Sequence, residues 1–306
     1  MIIDTECHVM RFARSYVNNR GNPMYQMNKH FTWHEHGAEL FVAEMNVAGV
    51  DKGFLISYDA EDTRWSAEQK GYSMEDFSGG RKYTLNEIRK YPDRFLWFNT
   101  VKDPKKYDAA ALARADAGLG MVGIKLFPAY IGISLLEEGM LGVWDTCRDL
   151  DLRALISFET LKPPLTKTLE AYLEEFDSLV ARYPTVQFAL LHTGCADPLT
   201  PRADAVFRIV RKHKNVYLST AYPGEVWDDG TEYPYRNYLQ RIQRTCEVVG
   251  PDRVMWATDW PWFEHAFKYK QGVDSIRLHA DFLTEDERAM VLGGSAMAFM
   301  GSRLHD

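Results

Sequence analysis

Six residues have side chains whose types and placement could do metal-assisted acid–base chemistry: Glu6, His8, Lys125, Glu159, His192 and Asp259. Carboxylates and imidazoles are hard or borderline ligands that suit zinc or manganese, and a carboxylate beside such an ion can also take a proton from water. The opening segment Ile2-Ile-Asp-Thr-Glu-Cys-His8 reads as an apolar strand. Asp4, Glu6 and His8 share parity there, so all three are expected on one face, with Glu6 and His8 converging from one rigid element. Near the other end of the chain, Arg253-Val-Met-Trp-Ala-Thr-Asp259 reads as a second buried strand that stops on an acid, followed by Trp260-Pro-Trp262. Lys125 lies in Val122-Gly-Ile-Lys-Leu-Phe127, Glu159 closes Ala154-Leu-Ile-Ser-Phe-Glu, and His192 follows Phe188-Ala-Leu-Leu. Taken singly, each has a plainer reading. His192 fits a satisfied core histidine, Glu6 and Asp259 fit strand-end capping acids, and Lys125 fits a chain that snorkels to a rim or pairs with Glu159.

The elements that must position these residues decide between the readings. Short apolar runs recur at 51–58, 95–101, 121–127, 153–158, 186–191, 215–220 and 253–258, and with the opening strand they make eight. Helical signals fill the gaps. Thr32-x-x-Glu35 is a capping box before Leu40, Phe41 and Met45, the stretch Tyr107 to Leu119 is alanine-rich, and 165–183, 201–213 and 235–249 are periodic. Strands alternating with helices imply right-handed crossovers and a parallel sheet. Eight units without a Gly-rich phosphate loop after the first strand predict an α/β fold, a closed (β/α)8 TIM barrel, as a single domain over 1–306. In that fold catalysis sits at the carboxyl ends of the strands, where the polar residues above gather from strands one, four, five, six and eight.

Composition narrows the partners. The 306 residues carry 36 basic against 43 acidic side chains, a net charge of −7, and no basic run, so nucleic acid is excluded as an expected partner. No apolar run is long enough for a bilayer span. Cys7, Cys147, Cys195 and Cys246 are scattered without framework or zinc-ribbon spacing, and the chain opens on a strand rather than a signal peptide, so a reduced, cytoplasmic protein is expected. His30, His34 and His36 form a second cluster, but 34 and 36 point apart on a helix and read as a solvated helix start. The segments 10–31, 59–80 and 221–235 are expected to be rim loops, and Arg11, Arg14 and Arg64 could lend a local positive field to an anionic substrate.

The motifs Ile3-Asp-Thr-Glu6-Cys-His8, Gly123-Ile-Lys125-Leu-Phe-Pro128, Leu190-Leu-His192-Thr-Gly194, Ala257-Thr-Asp259-Trp-Pro-Trp262 and Gly293-Gly-Ser-Ala-Met297 resemble the amidohydrolase-related family over nearly the whole chain. The branch it is similar to includes aminocarboxymuconate-semialdehyde decarboxylase and gamma-resorcylate decarboxylase. The resemblance implies a barrel holding one divalent ion, usually zinc, with manganese as the alternative, and a ligand set drawn from Glu6, His8, His192 and Asp259. Three positions depart from the family pattern. Glu6 stands where most members have a histidine, as in the gamma-resorcylate type; Phe127 replaces a histidine on strand four; and Ser157 occupies the place of a strand-five ligand histidine. Glu159, two residues on, or His192 could fill that vacancy, or the protein could work without metal, as a lactonase relative does.

The expected activity is therefore metal-dependent hydrolysis of a small, carboxylated cyclic lactone or amide. Asp259 is its general base, His192 assists, and Lys125 and Glu159 contact the substrate. The alternatives are non-oxidative decarboxylation of a hydroxy-aromatic acid, with Asp259 as proton donor, and metal-independent lactone hydrolysis. A non-catalytic barrel that has lost a ligand is the remaining class, and loss of turnover in Asp259→Asn separates it from the enzymes. The partner expected is a small molecule, with a homodimer implied by the family.

Overall fold

Each of the eight apolar runs forms a strand: β1 Ile3–Cys7, β2 Lys52–Ser57, β3 Phe95–Thr100, β4 Met121–Leu126, β5 Arg153–Ile156, β6 Phe188–Leu190, β7 Val216–Ser219 and β8 Val254–Met255. A computed structural model describes residues 1–10, 36–57, 79–158, 167–221, 231–261 and 268–305. Among these residues the strands alternate with helices α1 Ala38–Ala48, α2 Arg81–Ile88, α3 Ala109–Ala117, α4 Glu138–Asp149, α5 Leu169–Arg182, α6 Ala203–Lys212, α7 Arg236–Val249 and α8 Tyr269–His279. The local chemistry that starts and stops them is visible. Asp108 caps α3 by accepting from the Ala111 amide, Thr168 caps α5 by accepting from Ala171, and α1 stops at Gly49, whose φ of 75° suits a left-handed cap.

All pairings are parallel and run in sequence order from β1 to β8. Although the regular part of β8 is two residues long, its continuation meets β1. The Thr5 amide donates to the Trp256 carbonyl at 3.1 Å, Asp259 to Glu6 at 2.8 Å and His8 to Trp260 at 2.8 Å, so the sheet comes nearly full circle. The architecture is the (β/α)8 barrel expected from the alternation.

Inward side chains Ile3, Phe54, Phe98, Val122, Leu155, Leu191 and Met255 fill the barrel, and Phe299, Met300 and Leu304 of the C-terminal segment pack onto the same cluster. That segment lies across the amino ends of the strands: the Arg153 guanidinium at the start of β5 donates to the Met300 carbonyl at 2.6 Å. The buried cluster of Glu6, His8, Lys125 and His192 lies at the carboxyl ends. A second apolar layer lies between the strands and the helices, as where Phe41 of α1 stacks on Trp260 with centroids 4.3 Å apart.

Some local expectations change. The Thr32–Glu35 capping box, His30 and His34 fall outside the described residues, and α1 begins at Ala38 behind Gly37. His36 precedes that helix and is buried, with its ring edge against Trp260 and its backbone bridged to Met10, so it is not a solvated helix start. Tertiary packing against Trp260 overrides the polar character of the residue. None of the four cysteines is in a disulfide, and no helix among the described residues is long and apolar enough to cross a membrane. Glu159, Trp262, Arg11, Arg14 and Arg64 lie outside the described residues, as do 11–31, 59–78 and 222–230 of the three expected rim loops.

Candidate metal and active site

The first strand carries an irregularity that sets the site. Ile3 pairs with Lys52 and Asp4 with Gly53, but Cys7 pairs with Leu55, so β1 has one residue more than β2 between these points. A bulge of this kind inverts the inward–outward alternation. Ile3 points into the barrel; beyond the bulge Glu6 and His8 point to the site, while Cys7 and Val9 pack in the outer layer. Asp4 therefore does not share the face of Glu6 and His8, which corrects the equal-parity expectation. Its carboxylate turns to the outer layer and accepts from the Thr258 hydroxyl at 2.5 Å and the Tyr269 hydroxyl at 3.1 Å.

Glu6 is wholly buried at the carboxyl end of the barrel. Its Oε1 accepts from the Lys125 ammonium at 2.7 Å and lies 3.5 Å from His192 Nε2, and its Oε2 accepts from the Ser219 hydroxyl at 3.5 Å. Burial raises the Glu6 carboxyl, but the charges of His192 and Lys125 outweigh it and hold the group below its ordinary value. Lys125 reaches this point because β4 is itself irregular between Val122 and Gly123, which puts Gly123 and Lys125 on the inner side. The lysine is 1% exposed and stands 4.5 Å above the Phe127 ring. It does not snorkel to a rim, and among the described residues it pairs with Glu6.

His8 and His192 are presented in the same way. His8 Nδ1 lies 2.9 Å from the carbonyl of Ile56 at the end of β2, and His192 Nδ1 makes a short contact with the Ala221 carbonyl just after β7. A carbonyl can only accept, so both Nδ1 atoms carry a proton, which leaves a lone pair at Nε2 wherever the ring is neutral. His8 Nε2 faces Asp259 Oδ1 at 3.1 Å, and His192 Nε2 faces Glu6. Burial, then the charge of Lys125, pushes the His8 imidazole down to about 3, so it is neutral near pH 7. A neutral lone pair aimed at a carboxylate oxygen is repulsive unless a cation sits with them. The donor set of one imidazole and two carboxylates thus fits a divalent ion, and one ligand atom from each of Glu6, His8 and Asp259 lies within 4.8 Å of the others.

Two of these residues are held in backbone conformations that L-residues seldom adopt. Asp259 has φ 59°, and His192 opens a turn of four positive φ values, 55° at His192, 51° at Thr193, 65° at Gly194 and 60° at Cys195. Such strain persists where the surroundings over-determine it and clusters at functional sites. Asp259 is also the carboxylate that reaches outward: 21% of its side chain is exposed, against none for Glu6.

The fold thus brings Glu6, His8, Lys125, His192 and Asp259 to one barrel end. Ser157 is buried, with its hydroxyl 3.9 Å from the Cys195 sulfur. Residue-type reasoning missed the backbone carbonyls of Ile56 and Ala221 and the hydroxyl of Ser219. The carbonyls leave no trace in sequence, whereas Ser219 ends an apolar run as His192 does, and that position was its signal.

Residues 3–301 match the family model described as amidohydrolase. Protein fluG of Emericella nidulans is 28% identical over 152 residues, 46% of this chain and only 16% of that protein's length. Among solved structures, an amidohydrolase from Burkholderia multivorans with bound zinc superposes with a TM-score of 0.69 at 15% identity, covering 98% of this chain and 99% of that one. A probable 2-pyrone-4,6-dicarboxylic acid hydrolase from Acinetobacter baumannii with citric acid bound gives 0.66 at 17%, with the same 98% and 99% coverage. The 5-carboxyvanillate decarboxylase from Novosphingobium aromaticivorans, complexed with manganese and 4-hydroxy-3-methoxy-5-nitrobenzoic acid, gives 0.60 at 19%, covering 98% and 96%. At these identities the structural likenesses speak for the fold alone.

Proposed function

The chain belongs to the amidohydrolase family, and on that premise we propose that it hydrolyses a small, carboxylated cyclic lactone or amide with the help of one divalent ion, zinc or manganese. The observation that carries this reading is the convergence of Glu6, His8 and Asp259, with the His8 lone pair facing the Asp259 carboxylate. An ion held by these three residues would polarise the scissile carbonyl and acidify water. Asp259, the accessible carboxylate, accepts the proton from water and returns it to the leaving oxygen or nitrogen. His192 donates through Nδ1 to the Ala221 carbonyl and holds Nε2 3.5 Å from Glu6 Oε1, a place from which it could serve as a further ligand when neutral or as a proton donor when charged.

Charge supports an anionic substrate. Glu6 and Asp259 against the Lys125 ammonium leave a single formal negative charge at the site, which becomes a single positive charge once a divalent ion is counted. A substrate carboxylate complements that field, and in so buried a setting the complement is worth more than on a surface. Lys125 supplies this fixed charge from its place on Glu6.

The same residues serve a second reaction class, decarboxylation of a hydroxy-aromatic acid with Asp259 as the proton donor to ring carbon. The observation favouring it is Glu6, the carboxylate that stands where most of the family has histidine. Turnover of a panel of carboxylated lactones, cyclic amides and hydroxybenzoates in 18O-water by zinc- or manganese-loaded protein separates the two. Incorporation of label into a ring-opened acid, lost by about 10²-fold or more in Asp259→Asn, is the expected result. Release of carbon dioxide from a hydroxybenzoate with no ring-opened product would overturn hydrolysis.

A further inference from the structure

We infer that Asp4 is a positioning residue that fixes the direction of the Asp259 carboxylate. The inference rests on the reading above only in taking Asp259 as the working base. Because of the bulge in β1, Asp4 leaves the site face and is buried in the seam between β1, the continuation of β8, and α8. Its Oδ1 accepts from the amides of Glu6, at 3.2 Å, and Thr258, at 3.1 Å; its Oδ2 accepts from the hydroxyls of Thr258, at 2.5 Å, and Tyr269, at 3.1 Å. One carboxyl group thus meets four donors from three elements, and these bonds favour its ionised form and partly offset the burial that pushes it up to about 7.

The bonds fall on either side of the residue that matters. The Thr258 hydroxyl, having donated to Asp4, accepts from the Trp260 amide at 3.1 Å. Asp259 lies between these two held residues, and its own amide donates to the Glu6 carbonyl at 2.8 Å. With positions 258, 259 and 260 all anchored, the chain keeps φ 59° at Asp259, and that turn aims Oδ1 at His8 Nε2. Asp4 touches neither Oδ1 nor the His8 ring. It acts through the backbone of the turn and, by the Glu6 amide, on the neighbouring ligand as well. Hydrogen bonds of this outer kind fix ligand direction, and losing them weakens metal affinity without removing a ligand.

The test is amide hydrogen exchange, resolved to single residues, on the full chain and its Asp4→Asn, Thr258→Val, Thr258→Ser and Tyr269→Phe variants. In Asp4→Asn and Thr258→Val the amides of Asp259 and Trp260 should exchange about tenfold faster or more, while those of β3 and β4 change far less. Thr258→Ser, which keeps the hydroxyl, should restore slow exchange, and Tyr269→Phe, which removes only the helix-side donor, should leave the turn within a few-fold of the parent. Cobalt titration followed by its visible spectrum should show about 10- to 100-fold weaker binding in Asp4→Asn. Exchange that rises equally in β3 and β4, or unchanged rates at Asp259 and Trp260, would overturn the inference and leave Asp4 a general part of the core. If Asp4→Asn does not fold, the Thr258 pair decides. A parent protein that takes up no cobalt refutes the metal reading, while the exchange comparison still decides the role of Asp4.

Discussion

A carboxylate as deeply buried as Glu6 needs its countercharge at hand, and Lys125 at 2.7 Å is that charge. Removing one member of such a pair strands the other in a low-dielectric setting, at a cost of about 3–5 kcal/mol. Lys125→Met, measured by urea unfolding in the presence of EDTA, should therefore lose about that much. Adding Glu6→Gln to it should regain a large part, since the amide is neutral and still finds Ser219. Additive losses in this double-mutant cycle would refute the coupling. The residue types at 6, 8, 125, 192 and 259 were legible because side chains of their kinds are costly to bury and each ended or interrupted an apolar run. The pairing of Lys125 with Glu6 was not, since 119 residues separate them and only the closed ring of strands brings β4 across from β1.

At the scale of elements, strands β1 and β4 show why parity alone misplaces a side chain. Each has an irregularity, after Asp4 in one and beside Val122 in the other, and each irregularity reassigns which residues face inward. Asp4 moved to the outer layer for this reason, while the register beyond the bulge delivered Glu6 and His8 to the site. The second irregularity depends on Gly123: a Cβ there would lie 2.3 Å from Phe98 and 2.6 Å from the Arg153 carbonyl, so neither neighbour can yield cheaply. Gly123→Ala should destabilise the protein by about 1–3 kcal/mol or more. Gly142, inside α4 with the Ala110 Cβ 3.4 Å from where its own Cβ would stand, should behave oppositely, and Gly142→Ala should stabilise by up to about 1 kcal/mol. Thermal unfolding of both variants checks the contrast, and equal effects would show that the barrel yields around position 123.

The whole molecule has two unlike ends. The C-terminal segment packs on the amino ends of the strands through Phe299, Met300 and Leu304, so the barrel interior is filled from that side. The carboxyl ends gather the buried charges, and an ion bound there is linked to folding because the unfolded chain cannot hold Glu6, His8 and Asp259 together. Zinc or manganese at about 100 times its dissociation constant should add about 2.7 kcal/mol of stability and raise Tm by several degrees, reversibly with EDTA. The gain should vanish in His8→Ala. A parent Tm that is insensitive to both ions would count against the site as a metal centre.

The order of strands and helices, and hence the barrel, could be read from the chain because period-2 and period-3.6 apolar patterns are local and eight alternations leave few ways to close a parallel sheet. The same locality made Glu6, His8, His192 and Asp259 candidates, each being a polar residue at the end of an apolar run. What only the tertiary structure decided is everything that depends on contacts between distant segments. Such contacts set the bulge that turns Asp4 away, the backbone carbonyls of Ile56 and Ala221 that fix the two imidazoles, the left-handed turn at Asp259, and Lys125 on Glu6. Register shifts and carbonyl directions leave no signature in residue type, because any residue supplies a carbonyl and the shift of one strand is defined only against its neighbour.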